Sequence, residues 1–138
     1  MQQSSNPVSY AQHIRKQPLL GNGPKPVIVQ FARGDQTVPN PTSNALIRAG
    51  NLEDRTTLFR NDLVVAGIPG APKNAHTFLS NIDPRLPLQV IQLAFAAQTQ
   101  IATFFASRGT MVIDPDGAGP IFEVPVVLPL PEALNFIP

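Results

Sequence analysis

Asp35 and His76 are the residues of this chain whose types and order could do chemistry. A carboxylate that orients an imidazole, which then takes a proton from a hydroxyl, turns a weak nucleophile into a strong one. The carboxylate holds the tautomer; the imidazole serves as general base and then general acid. The third member would be a serine. Only Ser4, Ser5 and Ser9 precede Asp35, and none has the G-x-S-x-G surroundings of a nucleophile on a sharp turn; Gly21 and Gly23 flank Asn22 instead. Cysteine is absent, which removes thiolate nucleophiles, disulfides and thiolate metal sites.

Each candidate also has a plain reading. Asp35 follows Gly34, and Gly-Asp is a common turn pair. His76 follows the turn-rich stretch GIPGAPKN and could be a solvated loop side chain. The rivals are weaker. His13 precedes the acid in a polar N-terminal segment and reads as a solvated helix residue. Asp54 sits in the charged bend Glu53-Asp54-Arg55. Asp62, nearer His76 in the chain, is the alternative acid, although it also suits a strand end. Asp114-x-Asp116-Gly117 opens like a calcium loop, but Pro125 stands where the closing glutamate belongs, so it reads as a turn. Two distant histidines give no zinc pattern.

The elements that must position Asp35 and His76 follow from composition and period. VIVQFA, residues 27–32, is a short β-branched run that reads as a buried strand, and Asp35 lies three residues beyond it. Asn40 as N-cap, with Pro41 in the first turn, predicts a helix to Ala49 that Gly50 stops. Residues 56–65 read as a second strand with an uncertain end at Arg60-Asn61-Asp62. His76 follows in the next loop. The clearest helix spans Pro87 to Arg108 and ends before Gly109; its expected core stripe is Leu88, Ile91, Phe95, Ile101, Ala102 and Phe105. Ser9 to Lys16 reads as a short helix, and residues 1–25 as a loosely ordered lead-in. Residues 114–138 form an extended Pro-rich tail, in which Pro125 restricts residues 121–128 to an edge strand or a surface-hugging segment.

The order strand, helix, strand, loop, helix is α/β logic, and in open α/β sheets functional groups sit beyond the C-terminal ends of strands. Hydrophobic residues at 43% of 138 support a buried core, while charged residues at 14% are few for a free-standing domain. That shortage points to a surface that expects a partner or more chain. A net charge of +1 without a basic stripe argues against nucleic acid. No apolar signal core opens the chain, and the apolar stretch of residues 88–105 is too rich in Gln and Thr to span a membrane.

Three segments carry a family resemblance: residues 6–62 and within them GDQTVPNPT, then KNAHTFL, then IDPDGAGPIFEVPVVLPLPEALNFIP. They resemble the C-terminal region of bacterial extracellular lipase-like α/β-hydrolases. In that family the chain order is serine, acid, histidine. The resemblance implies a partial α/β-hydrolase fold with Asp35 as triad acid and His76 as triad histidine. It implies a carboxylic-ester or lipid substrate, no cofactor and no metal. The nucleophile would come from a missing N-terminal portion or another chain, so this chain would be inactive alone. A parent family of this kind is secreted or held at the cell envelope. The alternative is a non-catalytic hydrolase remnant that serves as a binding or interaction module.

Overall fold

The computed structural model describes residues 6–134 as a small mixed α/β protein around a three-stranded sheet. Strand β1 is Val29–Ala32, β2 is Thr56–Phe59 and β3 is Phe122–Glu123. The order is β1-β2-β3; β1 and β2 run parallel, and β3 is antiparallel to β2. The helices are α1 Pro7–Ala11, α2 Asn40–Gly50, α3 Asn61–Gly67 and α4 Leu88–Ala106.

Side chains alternate across the sheet, and each face builds its own core. Val29, Phe31 and Leu58 pack with Ile47 and Leu52 at the α2 end, and Val126 and Leu130 of the tail close that side. Ala32, Phe59 and Phe122 face the other way, onto Val64 of α3 and Val90 and Ala97 of α4. The sheet is thus sandwiched between helices, and every residue of β2 is buried, Thr56 and Thr57 included. The outer edge of β1 has no strand partner among the described residues.

Several elements depart from the sequence expectations. The second strand stops at Phe59, and Leu63, Val64 and Val65 lie in α3. Arg60 forks back onto Asp62, and Asp62 sits in the first turn of α3, where a negative charge suits the helix dipole. Asn40 does not cap α2: the helix starts at Asn40 itself, after Pro39. Gly50 is the last residue of α2, and the left-handed stop is Asn51 at φ 55°. Gly50 instead permits close packing, because a Cβ there would lie 2.7 Å from Leu52 Cγ and 3.2 Å from the Ala11 carbonyl.

The largest correction concerns α4. Leu88, Phe95, Ala102 and Phe105, expected in the core, face solvent. The buried positions are Val90, Ala94, Ala97, Gln100 and Phe104. Small Ala94 and Ala97 let the helix approach the sheet closely. Gln100 is fully buried, and its amide donates to Thr57 Oγ1 at 2.9 Å and the Ile113 carbonyl at 2.6 Å. Its carbonyl accepts from Gln30 Nε2 at 2.6 Å.

Of the lead-in, α1 packs on α2 with Ala11 buried, and Arg15 and Lys16 reach Asp54 and the Arg48 carbonyl. The tail adds β3 to the sheet, and the Val126 N–H bonds the Thr56 carbonyl at 2.8 Å. Residues 1–5 and 135–138, which include Ser4 and Ser5, lie outside the described residues.

Candidate functional site

Asp35 leaves β1 through a turn that only a few residue types can make. Gly34 has φ 79°, a left-handed value that costs glycine little. Its N–H donates to Asn40 Oδ1 at 3.1 Å, while Asn40 Nδ2 donates to the Ala32 carbonyl at 2.7 Å. The side chain read as a helix cap therefore binds the strand end to the turn. Beyond the turn, Asp35 Oδ1 accepts from the backbone of Thr37 at 2.7 Å and Val38 at 2.9 Å. One carboxylate oxygen is thus fully occupied in shaping its own loop.

The other oxygen faces His76. His76 Nδ1 lies 3.0 Å from Asp35 Oδ2, with the imidazole 40% exposed and the carboxylate 13% exposed. A carboxylate offers acceptors, so Nδ1 carries the proton and Nε2 of the neutral ring presents a lone pair. Among the described residues, the imidazole has no other hydrogen-bond partner. The Nε2 side of the ring can therefore take a proton from a hydroxyl that reaches it.

Three asparagines hold the two loops in this position. Asn61, buried at the start of α3, donates from Nδ2 to the carbonyls of Pro72 at 3.2 Å and Lys73 at 3.1 Å. Asn74 joins the two loops. Its Oδ1 accepts from Gln36 N at 3.2 Å and His76 N at 3.1 Å, and its Nδ2 donates to Thr37 Oγ1 at 3.4 Å. Asn40 does the corresponding work on the acid side. On either side of the exposed ring, Ala75 and Phe78 are buried, and Phe78 stacks on Phe59 of β2 with ring centroids 4.6 Å apart. From sequence Asn40 reads only as a helix cap, and Asn61 and Asn74 carry no site signal, although Asn40 and Asn74 stand inside the two segments GDQTVPNPT and KNAHTFL.

The rival groups are engaged elsewhere. Asp62 makes a two-pronged contact with Arg60 at 2.9 and 2.7 Å, and Arg60 also reaches Glu123 at 2.8 Å. Burial acts to raise the Asp62 carboxyl, but the Arg60 hydrogen bond and charge outweigh it and leave its pKa below the usual carboxylate value. The same contact holds the Arg60 guanidinium above its usual value. His13 Nδ1 bonds the Gln17 carbonyl at 2.7 Å. Asp54 pairs with Arg15, whose hydrogen bond lowers its pKa.

Asp116 accepts from the backbone of Ile121 at 2.9 Å and Phe122 at 3.3 Å, so it shapes a turn. Burial, then the neighbouring Asp116, push the Asp114 carboxyl up. Among the described residues no cluster of three or more His, Asp or Glu side chains could hold a metal, and no helix is long and apolar enough to cross a membrane.

No protein family, curated protein or solved structure matches the chain.

Proposed function

We propose that this chain is the acid- and histidine-bearing part of a serine carboxylic-ester hydrolase with a partial α/β-hydrolase fold. The observation that carries the reading is the 3.0 Å contact between His76 Nδ1 and Asp35 Oδ2. Asp35 lies in the loop that follows the C-terminal end of β1, and His76 lies in the loop after α3, the helix that follows the parallel strand β2. That is where open α/β sheets carry their functional groups. Asp35 would hold the Nδ1–H tautomer, and His76 Nε2 would deprotonate an attacking serine hydroxyl and then protonate the leaving alcohol. An acyl-enzyme would form and be released by water. The substrate class is a carboxylic ester or lipid.

The nucleophile would arrive on a further segment, from a missing N-terminal portion or another chain. The edge of β1 that has no strand partner among the described residues supports this, because a parallel strand with core packed on both faces suits the interior of a wider sheet. A strand added there would end beside Asp35.

The test is hydrolysis of a short-chain chromogenic ester by the chain alone, and by the chain mixed with the serine-bearing N-terminal part of a lipase-like α/β-hydrolase. The expected result is turnover on mixing, lost in His76→Ala. If no His76-dependent turnover occurs in either condition, the hydrolase reading fails.

The second reading, a non-catalytic remnant that binds a partner, is favoured by the apolar residues on the outer face of α4, where Phe105 is 71% exposed.

A further inference from the structure

Of the nine asparagines in the sequence, only Asn22 is followed by glycine. An asparagine side chain can be attacked by the backbone nitrogen of the next residue. The attack needs a free N–H, a backbone able to bring it to the side-chain carbonyl carbon, and no bulk beside it.

The fold closes this route at the other described asparagines. Asn6 and Asn40 precede proline, which has no N–H to give. The N–H after Asn51 is held by the Ile47 carbonyl at 3.0 Å, and the one after Asn81 by the Ser80 carbonyl at 2.8 Å. Asn44 and Asn61 are buried in α2 and α3. Asn74 is held by the bonds that join the two site loops.

Asn22 has none of these restraints. It ends a turn in which its own N–H bonds the Leu19 carbonyl at 2.9 Å and Gly21 takes φ 81°. The chain is next tied down at Lys25, whose N–H bonds the Ile14 carbonyl at 2.8 Å. Between these points Asn22 and Gly23 are exposed. The Gly23 N–H has no hydrogen-bond partner among the described residues. The Asn22 side chain makes one long contact, from Nδ2 to the Leu20 carbonyl at 3.4 Å. A Cβ placed on Gly23 would meet nothing within 4 Å, so no neighbour crowds the nitrogen.

We propose that Asn22 is a self-modification site, which converts to isoaspartate and aspartate through a cyclic imide formed with Gly23. The Gly23 nitrogen gives its proton to hydroxide and attacks Asn22 Cγ. The new N–Cγ bond closes a succinimide ring, and Nδ2 leaves as ammonia after taking a proton from water. A second water then opens the imide. Breaking the N–Cγ bond restores the normal chain with an aspartate. Breaking the bond to the Asn22 backbone carbonyl leaves the chain running through the side chain, as isoaspartate. The balance is one amide and one water converted to one carboxylate and one ammonium ion.

The conversion lowers the net charge of the chain from +1 to zero. The new carboxylate enters the loop whose Lys25 lines, with Arg15 and Arg55, a cavity of about 400 Å³. It offsets part of the positive charge gathered there. Neither Asn22 nor Gly23 belongs to a core cluster, so the modified chain stays folded.

The test holds the full chain in mildly alkaline buffer and samples it over days. Cation exchange should resolve an earlier-eluting form that has lost one positive charge, and peptide mapping should place isoaspartate and aspartate at position 22. Gly23→Ala is accommodated by the open space around the residue and sets a methyl beside the nucleophile. It should slow conversion by about tenfold, equivalent to about 1.4 kcal/mol of barrier. A free peptide of residues 19–25 gives the unrestrained rate. A chain that keeps Asn22 intact after the peptide has converted, or that forms acid first at another asparagine, overturns the proposal. Aspartate without isoaspartate, or a Gly23→Ala chain that converts as fast as the wild type, overturns the imide route.

Discussion

His76 donates from Nδ1 to Asp35 Oδ2 over 3.0 Å, joining two loops whose residues are 41 positions apart in the chain. The second carboxylate oxygen is held by the Thr37 and Val38 amides, so the carboxylate cannot turn away without breaking its own loop. The neutral imidazole should therefore be held largely as its Nδ1–H tautomer. Long-range nitrogen–proton correlation spectra distinguish the two tautomers. Asp35→Ala should return His76 to the mixture of an unrestrained imidazole. Identical tautomer ratios in the wild type and the variant would remove Asp35 from the role of orienting group.

Asn74 touches neither the imidazole nor the carboxylate, yet it accepts from Gln36 N and His76 N. It is a positioning residue. The loops around it are exposed, so water replaces much of what Asn74→Ala removes. Stability should fall by only about 0.5–1.5 kcal/mol. The sharper effect should be on His76, whose Nδ1–H preference weakens as the loops part, together with faster hydrogen exchange at the Gln36 and His76 amides. A variant that loses stability but keeps both the tautomer and the exchange rates would show that Asn74 serves the fold alone.

Local chemistry made part of this arrangement legible in the sequence. VIVQFA followed by Arg-Gly-Asp located β1 and the carboxylate, and Asn-Pro and Pro-Leu located the starts of α2 and α4. The core face of α4 was not legible, because Leu88, Val90, Ile91, Leu93 and Phe95 place apolar groups all round the helix. Periodicity cannot choose between two apolar stripes. The choice was made by Ala94 and Ala97, small enough for close approach, and by Gln100, whose side-chain partners Gln30 and Thr57 lie on the strands. The end of β2 was hidden for a similar reason. Leu63-Val64-Val65 has strand composition, and only the Arg60–Asp62 fork and the packing of Val64 turn it into helix. Asn74 gave no periodic signal, since its partners come from a loop far away in the chain.

Gln100 is the test of whether the buried polar network specifies how α4 docks. It bonds Gln30, Thr57 and the Ile113 carbonyl at once in a buried layer. Gln100→Leu keeps most of the volume but leaves these groups without their partner. The expected loss is about 2–4 kcal/mol, read as a lower urea midpoint with an unchanged slope. A loss under about 0.5 kcal/mol would mean that the remaining groups re-pair among themselves or with water.

The Arg60–Asp62 contact should show itself on the acid side of the stability curve. The Asp62 carboxyl titrates below its usual value because the guanidinium beside it outweighs its burial. A group with a depressed folded pKa stabilises fully above its unfolded value, near 3.8, and that contribution is lost as pH falls through the lower folded value. Asp62→Asn removes the charge at every pH. The variant should thus be less stable than the wild type near neutrality by about 1–2 kcal/mol, discounted because the side chain keeps contact with water. The two melting curves should converge as the acid end is approached, because the protonated aspartic acid then resembles the amide. Melting temperatures taken at steps between about pH 2 and pH 7 read this directly. A constant gap down to the lowest pH would mean that Asp62 contributes shape and hydrogen bonding, and that its charge beside Arg60 adds nothing to folding.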